Sequence, residues 1–146
     1  MPRATSGFMN RKALELQDRT RAFATRVILF CQSLPSTQAA QSISGQLIDS
    51  SGSTDSNYRA GCRARTRKEF IAKLGIVVEE SDESLGWLRL LVESSICTAE
   101  AAEALIKEAD ELVAIFVQSE KTARRNYEAE QARGKAARER TSRRRR

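Results

Sequence analysis

The 146-residue chain contains no histidine. Without an imidazole it can build neither a Ser-His-Asp nor a Cys-His nucleophile system, nor the Glu-x-x-His pairs that hold two irons inside helical bundles. Aromatic residues make up only 5%, and proline occurs twice. The apolar residues are mainly Ala, Leu, Ile and Val, a mix that favours helices over sheets. Three cysteines, Cys31, Cys62 and Cys97, are far apart, odd in number and free of any CxxC pattern. They read as reduced, small apolar groups in a reducing compartment, not as metal ligands or a disulfide framework. The seven glycines are scattered and form no phosphate-cradling loop. No apolar run approaches the roughly 20 residues of a membrane span, and "MPRATSGFMNRK" at the start lacks the apolar core of a signal peptide. These absences predict a cytoplasmic, non-enzymatic, all-α protein with no metal, no cofactor and no membrane contact.

What is present is helical periodicity. Phe23, Val27, Phe30 and Leu34, with Ala24, Ile28 and Cys31 beside them, recur at the three-and-four spacing of an amphipathic helix over 13–34. Leu34 precedes Pro35, which pushes it out of helical geometry and ends the element. Between residues 49 and 57, "DSSGSTDSN" has turn-like composition, yet Ile43, Leu47, Ser50, Thr54, Tyr58 and Cys62 keep a helical period through it. The segment reads equally as a loop or as a helix with a small-residue face. "TRKE" at 66–69 fits a capping box, with Thr66 accepting from the Glu69 amide and the Glu69 carboxylate reaching back to that of Thr66. A long helix then follows through Phe70, Leu74, Val77, Ser81, Leu85, Leu88 and Val92, and Gly75 and Gly86 near its stripe are read as contact points for a neighbouring helix. Thr98 caps a fourth helix carrying Ala102, Leu105, Ala109, Leu112 and Phe116, whose additional Ile106, Val113, Ile115 and Val117 suit either a wide core stripe or a subunit contact.

Four helices of roughly 22–30 residues, each about 35–45 Å long, joined by short turns, predict an antiparallel up-and-down four-helix bundle. The expected organisation is a flexible N-terminus over 1–12, the bundle over 13–127, and a disordered or frayed Arg-rich tail over 128–146. The tail assignment follows from like-charge repulsion and the lack of apolar residues to bury.

Charge is distributed unevenly. The chain carries +6 in all, but residues 121–146 hold eleven Lys or Arg against three Glu. A second cluster places six Lys or Arg between Arg59 and Lys73 against one acid, Glu69. Arg67 and Lys68 fall in the first turn of a helix, where the dipole disfavours cations. Such a local cost points to phosphate contact, for which the Arg fork is well matched. The competing reading is a solvated corner whose arginines pair with acids such as Glu79 and Asp82 in this or another subunit. The paired carboxylates Glu79 and Glu83, four residues apart, are read as a solvated helix face rather than a catalytic or metal site.

"NYRAGCRARTRKEFIAKLGIVVEESDESLGWLRLL", together with "RTRAFATRVILFCQSLP", resembles the small four-helix-bundle proteins named after intervening sequences in bacterial 23S ribosomal RNA genes. The likeness spans about residues 14–125 and is most specific at "S..SNYR", "R.R...EF" and "E..DE...W". It implies that 49–57 is helical and that the bundles assemble into a ring, with a homopentamer as the expected form. A related group, the accessory proteins of diversity-generating retroelements, binds nucleic acid and a reverse transcriptase. The arginine tail lies beyond the resemblance.

Together these observations predict a non-enzymatic, oligomeric helical bundle that binds RNA or DNA through the phosphate backbone with little sequence specificity. The candidate contact residues are Arg59, Arg63, Arg65, Arg67 and Lys68 in the corner, and Arg143, Arg144, Arg145 and Arg146 in the tail. The alternative is a protein-interaction scaffold or accessory subunit, for example of a reverse transcriptase, without direct nucleic-acid contact.

Overall fold

A computed structural model describes residues 7–146. Among them are four helices and no strand: α1 (Gly7–Gln32), α2 (Gln38–Cys62), α3 (Arg67–Glu93) and α4 (Ala99–Arg144). The core gathers Phe23 and Val27 from α1, Leu47 and Tyr58 from α2, a row from Leu74 to Leu91 on α3, and Leu105, Leu112 and Phe116 on α4. The Tyr58 and Phe116 rings meet with centroids 5.0 Å apart and a tilt of 50°, a favourable offset aromatic geometry. This packing is that of a four-helix bundle. No helix among the described residues is long and apolar enough to cross a membrane.

The ambiguous serine-rich segment is helical. Its small polar residues satisfy themselves locally: Ser50 donates to the Leu47 carbonyl at 3.2 Å, and Thr54 to the Ser50 carbonyl at 2.9 Å. Backbone carbonyls thus absorb hydroxyls that would otherwise be costly to bury. Because these side chains are short, α3 comes close, and Ser84 donates to Ser50 Oγ across the interface at 2.9 Å. At the far end of the same contact, Gly61 faces Lys73 and Phe70, so closely that an added Cβ would stand 3.2 Å from Lys73 Cβ. Gly75 and Gly86 do not play the part expected of them. Gly86 has nothing within 4 Å of a built Cβ, and Gly75 meets only the end of the Glu120 side chain.

Caps set the helix starts. Thr37, Thr66 and Thr98 each accept from the amide three residues on, Ala40, Glu69 and Ala101 respectively. The box at α3 differs in one detail from the sequence expectation, since Glu69 accepts from the Arg65 amide at 3.0 Å rather than from that of Thr66. The carboxylate reaches one residue further back and so ties down the turn itself. Between α3 and α4, Ser95 takes a left-handed conformation at φ 57, and the Ile96 and Cys97 amides close on the Leu91 carbonyl.

Both chain ends differ from expectation. The flexible segment expected over 1–12 lies outside the described residues as far as residue 6, and from Gly7 onward the chain is α1. The tail expected to be disordered or frayed over 128–146 instead continues α4 to Arg144, giving a 46-residue helix about 69 Å long. Like-charge repulsion and the absence of burial oppose a helix there, but two other effects prevail. Ala129, Ala132, Ala136 and Ala137 are interleaved with Glu, Gln, Lys and Arg, all strong helix formers. Extending a helix already anchored in a bundle also avoids the cost of nucleation.

The close α2–α3 contact and the open position of Gly86 make opposite predictions. Gly61→Leu is expected to cost about 1–3 kcal/mol through overpacking, whereas Gly86→Ala is expected to gain up to about 1 kcal/mol from helix propensity. Thermal unfolding followed by circular dichroism checks both, at about 2–4 °C per kcal/mol for a chain of this size. A neutral Gly61→Leu would show that the two helices are not in close contact there.

Candidate nucleic-acid interface

The five corner residues do not behave alike. Arg59, on the last turn of α2, turns inward: its guanidinium lies 3.4 Å from Asp55 Oδ1 and 3.5 Å from Gln17 Oε1, and its Nε is buried without a partner. Asp55 itself is buried and also accepts from Thr20 at 3.1 Å and Arg21 at 2.9 Å, both on α1. This cluster pins α1 to α2, and Arg59 is committed to it. Arg63, Arg65 and Lys68 are exposed and make no ion pair among the described residues. Arg67 is also exposed, but its Nη2 lies 3.0 Å from Glu130 Oε1 on α4.

That ion pair joins parts of the sequence about sixty residues apart. It does not supply much stability, because both groups are solvated. Its value is as a ruler. Glu130 stands beside the corner, so the cations that follow it, Arg133, Lys135, Arg138, Arg140 and then Arg143 to Arg146, project from the same end of the molecule. At 1.5 Å per residue, Arg144 lies about 21 Å beyond Glu130. The charge pattern alone does not single out Arg133, Lys135, Arg138 and Arg140. The signal for them was the helix propensity around them, which converts a loose charge run into a fixed array.

The end defined by the Gln17–Arg59, Gly61–Lys73, Arg67–Glu130 and Gly75–Glu120 contacts is strongly basic. Residues 7–17, 59–76 and 120–146 hold nineteen Lys or Arg against six Asp or Glu. The opposite end is not: residues 27–48 carry no charge at all, and 86–110 carry two Lys or Arg against five acids. A charge separation of this kind orients the molecule in the field of a polyanion. The anticipated pairing of corner arginines with Glu79 or Asp82 is not found among the described residues, where Arg67 uses Glu130 instead.

The acids of α3 form a band across the middle. Glu80 is the most perturbed of them. Its carboxyl is pushed above the usual carboxylate range, first by burial and then by the neighbouring charges of Glu83, Glu79 and Asp49. Burial pushes the thiol pKa of Cys31 and of Cys97 upward. Burial and the neighbouring Cys62 likewise raise the pKa of the Tyr58 hydroxyl.

The strain at Glu80 has a definite sign. An acid that binds its proton more tightly when folded than when unfolded loses stability as pH rises through its unfolded value, about 4.3 for Glu. Glu80→Gln is therefore expected to raise Tm at pH 7, with the gain vanishing near pH 3.5, where the native side chain is itself neutral. An equal gain at both pH values would mean that charge is not its source.

Comparison with known proteins accords with this architecture. No curated protein matches the chain. Among solved structures, a protein of unknown function from the S23 ribosomal protein family of Bacteroides thetaiotaomicron VPI-5482 superposes with a TM-score of 0.67 at 28% identity, covering 72% of this chain and 97% of that one. Over residues 12–118 the sequence matches the family described as 23S rRNA-intervening sequence protein. This span takes in nearly all of α1, the whole of α2 and α3 and the packed part of α4, and it stops short of the projecting arginines. The chain belongs to the 23S rRNA-intervening sequence protein family.

Proposed function

We propose that this protein is a non-enzymatic, cytoplasmic nucleic-acid-binding bundle that contacts the phosphate backbone of RNA or DNA with little sequence preference. The observation that carries the reading is the Arg67–Glu130 pair, which sets the exposed corner cations and the arginine-bearing end of α4 side by side. Arg63, Arg65 and Lys68 are the corner residues free to meet phosphate, and Arg67 adds a donor at the cost of its bond to Glu130. Arg59 serves to hold α2 against α1 through Asp55.

The helices are proposed to run antiparallel, up and down. In support, Ser50 meets Ser84 while Gly61 meets Lys73, so numbers rise along α2 as they fall along α3. Copies of the bundle are proposed to associate as a ring-shaped homo-oligomer, a pentamer in the form that the family resemblance implies. Exposed apolar side chains on α1 (Ile28, Leu29) and α3 (Ile76, Leu90) favour such contacts. A ring would gather several basic ends on one polyanion and raise the effective concentration of each.

Salt dependence tests the nucleic-acid reading. Each phosphate contact contributes about 0.9 to the slope of log K against log salt on duplex DNA. Replacing Arg63, Arg65 and Lys68 together by Ala is expected to make that slope shallower by about 2.7, with no loss of helix content. A chain ending after Glu130, which keeps the Arg67 pair, is expected to bind more weakly still. Failure of the intact protein to shift any nucleic acid at low salt would overturn the reading and leave a protein-interaction scaffold in its place.

A further inference from the structure

Of the eight Lys and Arg between residues 131 and 146, five fall in two rows, while Lys135, Arg143 and Arg146 lie round the opposite side of the helix. At about 100° per residue, Arg133, Arg140 and Arg144 fall on one line, and Arg138, followed by Arg145 at the cap, falls about 130° round from it. Between the two rows lie only Gly134, Ala137 and Thr141. The segment is exposed along its whole length, and none of these arginines has an ion-pair partner among the described residues.

A helix lying on a flat anionic surface uses one row of cations. Two rows flanking a strip of small side chains suit a trough with anionic walls on both sides, where each row meets one wall and the small side chains let the helix axis sink between them. The major groove of B-form DNA is such a trough, about 12 Å wide, and accepts a helix whose overall diameter is about 10–12 Å. The corresponding groove of A-form RNA is deep and too narrow to admit one. We infer that residues 131–145 form a rigid rod that seats in the major groove of double-stranded DNA, with Arg133, Arg140 and Arg144 on the phosphates of one strand and Arg138 and Arg145 on those of the other. The inference rests on the nucleic-acid reading above and specifies its ligand as duplex DNA and its mode as groove insertion. Arg63, Arg65 and Lys68, beside the root of the rod, then meet the backbone flanking the groove. The strip between the rows carries no base-reading amide or carboxylate, so the contact is indifferent to sequence.

A charge-preserving helix breaker separates a rod from a loose polycation. Ala136→Pro combined with Thr141→Pro interrupts the rod while leaving every arginine in place, and it lies well beyond Phe116, the last buried side chain. Circular dichroism and thermal unfolding of the full-length variant show that the bundle is retained. Fluorescence anisotropy with a 24-base-pair DNA duplex, a perfectly paired RNA duplex of the same sequence and one DNA strand gives the comparison. The parent protein is expected to bind the DNA duplex about tenfold more tightly than the other two, the variant to lose about tenfold on the DNA duplex alone, and bound protein to protect guanine N7, an atom on the major-groove edge, from alkylation. Equal binding of DNA and RNA duplexes, indifference to the proline substitutions, or unprotected N7 at saturation would each overturn groove insertion while leaving phosphate binding intact. Binding to none of the three at low salt would overturn both.

Discussion

The approach of α2 to α3 is the constraint on which the rest of the molecule depends. Where most helix pairs in a small bundle interlock large apolar side chains, this pair meets through Ser50, Ser84 and Gly61. Hydroxyls that return their hydrogens to the helix backbone cost little to bury, and their small volume draws the axes together. The short turn between the helices is thereby held against the bundle, and the Glu69 bond to the Arg65 amide closes it. A corner so restrained carries its cations at fixed positions. Placing several positive charges there also costs folding energy, because the first turn of α3 already presents the positive end of a helix dipole. Glu69 and, across the interface, Glu130 offset part of that cost.

Charge is sorted along the molecule as well as clustered. The acids of α3 sit in a mid-bundle band, where Glu80 is held close to Glu79, Glu83 and Asp49. The cations collect at the end where α4 leaves the bundle. Neither arrangement improves stability, since like charges brought together on a folded surface repel. A bundle of this size could be stable with its charges interspersed. In the proposed nucleic-acid reading, that separation presents one end of the molecule to a polyanion and turns the acidic flank away from it.

Two kinds of arginine also become distinguishable. Arg59 is half-buried, shares the buried carboxylate of Asp55 with Arg21 and Thr20, and joins α2 to α1. Arg63, Arg65 and Lys68, within nine residues of it, face solvent. All of them occur in one basic stretch, and composition gives no reason to separate them. The difference lies in the partner: Asp55 is one turn back on the same helix, and Gln17 comes from α1.

By itself the sequence determined the helical class, the caps at Thr66 and Thr98, the core stripe of α4 and the exclusion of imidazole chemistry, because each depends on residue type and local spacing, whereas the Thr37 cap emerged only from the structure. The capping box at Thr66 was legible for the same reason, to within one residue of its carboxylate's target. Tertiary structure decided what composition left open or misdirected. The serine-rich segment is helix because α3 covers it, and among Gly61, Gly75 and Gly86 it is Gly61 that is the tight contact, because there an added Cβ would crowd Lys73 Cβ, whereas Gly75 meets only the end of the Glu120 side chain and Gly86 meets nothing. Charge repulsion alone argues for a frayed tail, but α4 is already nucleated and anchored by Leu105, Leu112 and Phe116 before the arginines begin. That the corner and the tail share one end could not be read from positions some sixty residues apart. It follows from the packing that brings Arg67 to Glu130, an outcome of how whole helices stack rather than of any local rule.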